Sequence, residues 1–299
     1  MGCGRALVRH GPLVRLRRRR AHPRRLLRGR RAEAVIVSKC GISAARPTPA
    51  RRLAKAVARR VFDLAPALRT GLRGVLGAQH QGGHFAPADI VASAEASLRE
   101  LGVERLDWLM LHDAPLEVAR DPRVHDALAG LVERGLVGGY GLSSSVAVVA
   151  GALTLAPRPF AAVQLSDNLW DGGQEEVAAA LAARSGGDGA RPLVLANQPF
   201  GGGAGAGGGL GELGRRIART VPGLELGPAA REILLRPSLS AVAEVALGAV
   251  VHGPLAPVVV CTMTDPQHIR ANVRAVTAGR FSVDELVQLR RGLLAARLS

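Results

Sequence analysis

A chain of 299 residues, 47% of them hydrophobic, can bury the core of one large domain or two small ones. Three widely spaced cysteines without a CxxC pair argue against a disulfide scaffold and a structural zinc site. Apolar stretches such as residues 146–156 fall short of the roughly 18 residues of a membrane span, so a cytoplasmic chain with no membrane segment is expected.

The formal charge of +16 points at first to nucleic acid, but twelve arginines lie within residues 1–31, where no acidic residue occurs. That segment also lacks aromatic side chains on which bases could stack, so specific nucleic-acid binding is not expected. It lacks serine too, which counts against a transit peptide. Residues 1–34 are read as an Arg-rich, poorly ordered or partly helical segment, and residues 35–299 as the folded domain.

From Val35 onward, short apolar runs alternate with segments of helical period, the signature of repeated βα units around a parallel sheet. The first run is Val35 to Val37, closed by Ser38-Lys39-Cys40-Gly41. Pro87 to Leu101 predicts a helix, with Ile90, Val91, Ala94, Leu98 and Leu101 at spacings of three and four. Leu106 to Leu111 predicts a strand closed by His112-Asp113. Asp121 caps a helix with Pro122 in its first turn, which Gly135 ends. Val137 to Leu142 predicts a strand, and a Ser143-Ser144-Ser145 turn leads into an apolar helix ending near Leu155. Strands are expected at Phe160–Leu165, Pro192–Ala196 and Pro257–Cys261. Helices are expected at Glu175–Ala183, Leu239–Val251, Pro266–Thr277 and Val283–Leu298. Six units fit, and an eight-stranded barrel needs two more. Residues 1–34 are a poor source, since even Leu13-Val14-Arg15-Leu16-Arg17 is broken by arginine.

Two blocks carry a family pattern. Ser97-Leu98, Leu101-Gly102, Asp107 and His112 match "SLxxLGxxxxDxxxxH", and Gly135 to Ser143 matches "GkvrxiGvS". Gln164 follows on the next strand, and Cys261 to Asn272 is similar to "GtxspehlxeN". In order and spacing, these segments resemble the aldo-keto reductases. The resemblance implies a TIM (β/α)8 barrel, here N-terminally incomplete with about six family strands recognisable. It further implies reduction of small aldehydes or ketones with NADPH, NADH remaining open, beside a tetrad of Asp, Tyr, Lys and His.

By that resemblance Lys39 and His112 are the catalytic lysine and histidine. Ser143, Ser144 and Gln164 hold the nicotinamide carboxamide. Pro199, Phe200 and Gly201 belong to the loop over the pyrophosphate. Thr262, Met263 and Thr264 cradle a phosphate, with His268 and Asn272 towards the adenosine. The departures are large. No Asp precedes Asp63, and the sole tyrosine, Tyr140, lies in a strand that matches another family position. The resemblance fades before residue 23, and residues 1–22 are read as a substitute for the family's first strands, through a displaced start or shifted frame. An impaired reductase is therefore expected. A non-catalytic NADPH-binding protein and a non-specific nucleic-acid binder are the alternatives.

Two further motifs carry less. The glycine run 201–209 contains GxGxxG but reads as a flexible loop. His80 and His84 have metal-like spacing without a neighbouring carboxylate or thiol, so no metal site is expected.

Overall fold

A computed structural model describes residues 6–9, 27–42, 83–183, 191–201, 209–261, 265–277 and 279–296. Seven parallel strands lie in chain order: β1 (Ala6–Arg9), β2 (Ala34–Cys40), β3 (Leu106–His112), β4 (Val137–Ser143), β5 (Ala162–Ser166), β6 (Leu193–Asn197) and β7 (Val258–Val260). Among the described residues β1 and β7 do not pair with each other, so the curled sheet is an incomplete (β/α)8 barrel.

Six of these strands are the expected ones. β1 is not, since residues 1–34 were read as a poor source of a strand, and the structure corrects that at Ala6–Arg9, which pair with Ala34–Val37. An edge strand is hydrogen-bonded on one side only and needs no long Val/Ile/Leu run, so the rule for central parallel strands misses it.

The helices are α1 (Pro87–Leu101), α2 (Leu116–Arg120), α3 (Pro122–Glu133), α4 (Val146–Leu155), α5 (Gly173–Ala182), α6 (Gly209–Thr220), α7 (Pro228–Leu235), α8 (Leu239–Val251), α9 (Pro266–Thr277) and α10 (Val283–Ala295). α1 begins at a proline, which fits the first turn, and stops at Gly102 with φ 65°, a left-handed conformation that glycine adopts without strain. Its buried residues Ile90, Ala94, Ser97, Leu98 and Leu101 form one stripe. The side chain of Asp121 caps α3 as expected, by accepting the Arg123 N–H. A reciprocal Ser282–Glu285 capping box opens α10.

α2, α6 and α7 were not expected. α2 and α7 are too short for a periodic signal, and α6 carries three glycines, which lower helix propensity. Packing overrides propensity in α6: Leu213 and Ile217 are buried against α8 and α10, in a cluster with Val242, Val245 and Leu289.

Side-chain alternation along parallel strands divides the sheet into two faces. Outward-facing Ile36, Leu109, Leu111, Leu142, Val163 and Leu165 join the helices in the main core. Inward-facing Val37, Met110, Ala162 and Leu195 form a smaller buried cluster inside the curl. On β4 the inward position is Gly141, where a Cβ would lie 2.2 Å from the Ala162 carbonyl oxygen, so the close β4–β5 approach requires glycine.

Candidate active site

Two residues beyond each inward core residue, towards the C-terminal end of its strand, the same face presents a polar side chain. Val37 is followed by Lys39, Met110 by His112, Gly141 by Ser143, Ala162 by Gln164 and Leu195 by Asn197. The pleat therefore turns five strand ends into one polar layer over an apolar floor. Register aligns it: His112 pairs with Ser143 and Ser143 with Gln164, while Asn197 pairs with Ser166 and Val260.

This layer lines a cleft of about 590 Å³ at the C-terminal mouth of the sheet, together with Asp113, Ser144, Ser145, Ser166, Gln198, Pro199, Phe200, Gly201 and Cys261. The Lys39 side chain is only 1% exposed, and its Nζ donates to Ser143 Oγ. His112 Nε2 lies 3.6 Å from a carboxylate oxygen of Asp113, whose side chain is half exposed. Gln164 is 1% exposed, and its amide nitrogen makes no hydrogen bond among the described residues; the buried Oδ1 of Asn197 makes none either. A donor and an acceptor are thus left open on one cleft wall. Leaving both unpaired costs free energy, so the wall is built for a polar ligand.

The structure brings together eight of the residues singled out in the sequence: Lys39, His112, Ser143, Ser144, Gln164, Pro199, Phe200 and Gly201. The Ser144 hydroxyl donates to the Ala114 carbonyl at 2.9 Å and so holds the loop after β3. Thr262, Met263 and Thr264 lie outside the described residues, as do His80 and Gly202 to Gly208. His268 is exposed and Asn272 half-buried on α9, and neither lines the cleft. The Asp265 carboxylate accepts the Gln267 N–H at 2.8 Å and caps the first turn of α9. Asn197 was missed; its signal was available, since it stands two residues beyond an inward core leucine at a strand end.

Tyr140 occupies the opposite face of β4. Its ring meets His125 edge-on at 5.8 Å and Phe160 at 6.0 Å, among the helix-facing residues. Burial holds its phenol above the usual range, with opposing smaller effects from Arg158 and Asp126. The chain's one tyrosine is therefore turned away from the cleft.

Beside the cleft, a buried ion-pair network fixes the loop after β5. Arg290 on α10, 3% exposed, donates to both Asp167 oxygens at 2.9 and 3.0 Å and to both Glu175 oxygens at 2.7 Å. Gln174 adds a 2.7 Å hydrogen bond to Asp167 and another to the Val250 carbonyl. Burial opposes the Arg290 charge, but the two carboxylates outweigh it and hold the guanidinium protonated. Nothing in the local sequence joins Asp167 to Arg290, so the network was not foreseen.

The sequence matches the model of the "Aldo/keto reductase family" over residues 19–291. The fold is similar to that of an aldo-keto reductase from Bacillus halodurans in its holo form, with a TM-score of 0.59 at 17% identity, covering 97% of this chain and 82% of that one. It is also similar to a Bombyx mori aldo-keto reductase in complex with NADP, with a TM-score of 0.58 at 12% identity over 97% and 79% of the two chains. An aldose reductase from Schistosoma japonicum gives a TM-score of 0.57 at 15% identity over 98% and 81%. At such identities the likeness carries the fold alone. No curated protein matches the chain.

Proposed function

Because the chain belongs to the aldo/keto reductase family, we propose that it is a carbonyl oxidoreductase, with turnover held low by the missing tyrosine and aspartate. It takes NADPH, or NADH in its place, and reduces small aldehydes or ketones to alcohols. The observation that supports this reading is the open pair on the cleft wall, the Gln164 amide nitrogen and Asn197 Oδ1. A donor beside an acceptor complements a primary carboxamide, the polar group of a nicotinamide ring. When bound, that cofactor supplies the hydride.

The protein's own groups account for the rest. The carbonyl oxygen becomes negative as the substrate is reduced, so donors must already surround it. Lys39 and His112 line the cleft and are able to donate there, with Ser143 fixing the amine and Asp113 beside the imidazole. No phenol is available to deliver the proton. A well-placed general acid contributes about 10²- to 10⁴-fold, so the proposed turnover is lower by roughly that factor. The adenosine side remains assigned by resemblance to residues 262–264, His268 and Asn272.

The test is to titrate the protein with NADPH and with NADH, then follow nucleotide oxidation with butyraldehyde. Saturable nucleotide binding with slow turnover is expected. Binding of neither nucleotide would overturn the reading, and fast turnover would overturn the impairment.

A further inference from the structure

We propose that Asp113 sets the substrate class of the cleft, favouring small carbonyl compounds that carry a cationic group such as a primary ammonium. The inference rests on the carbonyl-reducing reading of the cleft and deepens it, because it names the charge of the substrate.

Three observations carry it. Asp113 is the one carboxylate among the described residues that line the cleft, and its side chain is half exposed there. Its direction is set by the backbone: φ is 49°, a left-handed conformation that aspartate tolerates better than most residues, and its N–H donates to the Ser143 carbonyl at 2.7 Å. The carboxylate itself accepts no hydrogen bond among the described residues, with His112 Nε2 beside it at 3.6 Å. Its acceptor sites are thus kept for a ligand or for water.

The strand order says which part of a ligand meets this charge. Asp113 directly follows His112 at the end of β3, between the end of β2, which holds Lys39, and the end of β4, which holds Ser143. The open donor and acceptor assigned to the nicotinamide stand on β5 and β6 instead. A carbonyl compound facing Lys39 and His112 therefore brings its own substituent, rather than the nucleotide, into the field of Asp113. An ammonium there gains a charge-assisted hydrogen bond, whereas a carboxylate meets like charge. Among the described lining residues no arginine offsets Asp113, and the Lys39 amine is buried and turned to Ser143.

The probes are three small alcohols that differ at one end: 4-aminobutan-1-ol, butane-1,4-diol and 4-hydroxybutanoate. They stand for the products of such a reduction, so their binding to the full-length protein is measured without turnover, by ligand-observed NMR titration. The ammonium alcohol should bind about two- to fivefold tighter than the diol, as an exposed ion pair allows, and the carboxylate more weakly than either. Added sodium chloride should flatten that order. In Asp113→Asn, which keeps a residue tolerant of the left-handed backbone, the three affinities should converge. Equal affinities in the unaltered protein, tighter binding of the carboxylate, or binding of none of the three would overturn the proposal, as would an unchanged order in Asp113→Asn. The order and its salt response in the unaltered protein decide this even if the variant does not fold. NADPH titration of the same preparation separates the two readings: nucleotide binding without a charge preference refutes only the role of Asp113, and a charge preference without nucleotide binding refutes only the reductase.

Discussion

The amine of Lys39, at the end of β2, donates to the hydroxyl of Ser143, at the end of β4, and so spans the intervening strand β3. The contact ties together two strand ends that are not neighbours in the sheet. It also fixes the direction of Lys39, which lines the cleft and on which the reductase reading depends.

Ser143→Ala should therefore cost stability, because it leaves a buried amine without this acceptor. A loss of about 1–3 kcal/mol is expected from urea unfolding, and Ser143→Thr, which keeps the hydroxyl, should recover most of it. An alanine variant as stable as the parent would show that the contact contributes nothing to the fold.

Nucleotide affinity should respond to the open pair on the cleft wall. Gln164→Leu and Asn197→Leu each remove one half of the carboxamide complement, and each should weaken NADPH binding by about tenfold or more. Fluorescence titration measures this. Unchanged affinity in both variants would remove the support for a carboxamide at this position.

Arg290→Met should be among the more damaging single changes. It leaves the Asp167 carboxylate, which is fully buried, without its cation, and breaking a buried pair from one side costs about 3–5 kcal/mol. The measurement is the urea midpoint compared with that of Arg30→Met, whose solvent-exposed pair with Glu33 should contribute little.

Alkaline pH should destabilise the protein through its thiols. Burial pushes Cys40 up to about 12 and Cys261 up to about 11, whereas an ordinary thiol titrates near about 8.5. Between those values the unfolded chain has lost protons that the folded chain keeps, so folding is favoured less as pH rises. This contribution is complete below the ordinary thiol value and disappears as pH climbs through about 11 to 12. The unfolding free energy should fall from about pH 9 upward, and Cys40→Ala should flatten that slope. An identical slope in the variant would assign the alkaline loss to other groups.

Much of the barrel was legible because its signals are local. Pro87 to Leu101 and Leu239 to Val251 were read to the residue, since a start signal and a run of apolar residues mark each of them. Lys39, His112, Ser143 and Gln164 were singled out by the resemblance of their segments to a family pattern, and the structure gathers all four at one cleft, because strand ends at one mouth are where a parallel barrel collects polar groups. β1 and α6 were illegible, because an edge position and packing against α8 decided them rather than pattern.

Composition and periodicity thus settled by themselves that the chain builds βα units, about where its strands end, and that it holds a single tyrosine. Only tertiary structure decided which face each side chain takes. A one-residue step along a strand reverses that face, so Tyr140 was sent to the helices and Ser143 to the cleft by register and close packing at Gly141. Folding likewise brought Asn197 to the cleft that Gln164 lines and made Arg290 the partner of Asp167, for contacts between distant segments exist only once the sheet has curled.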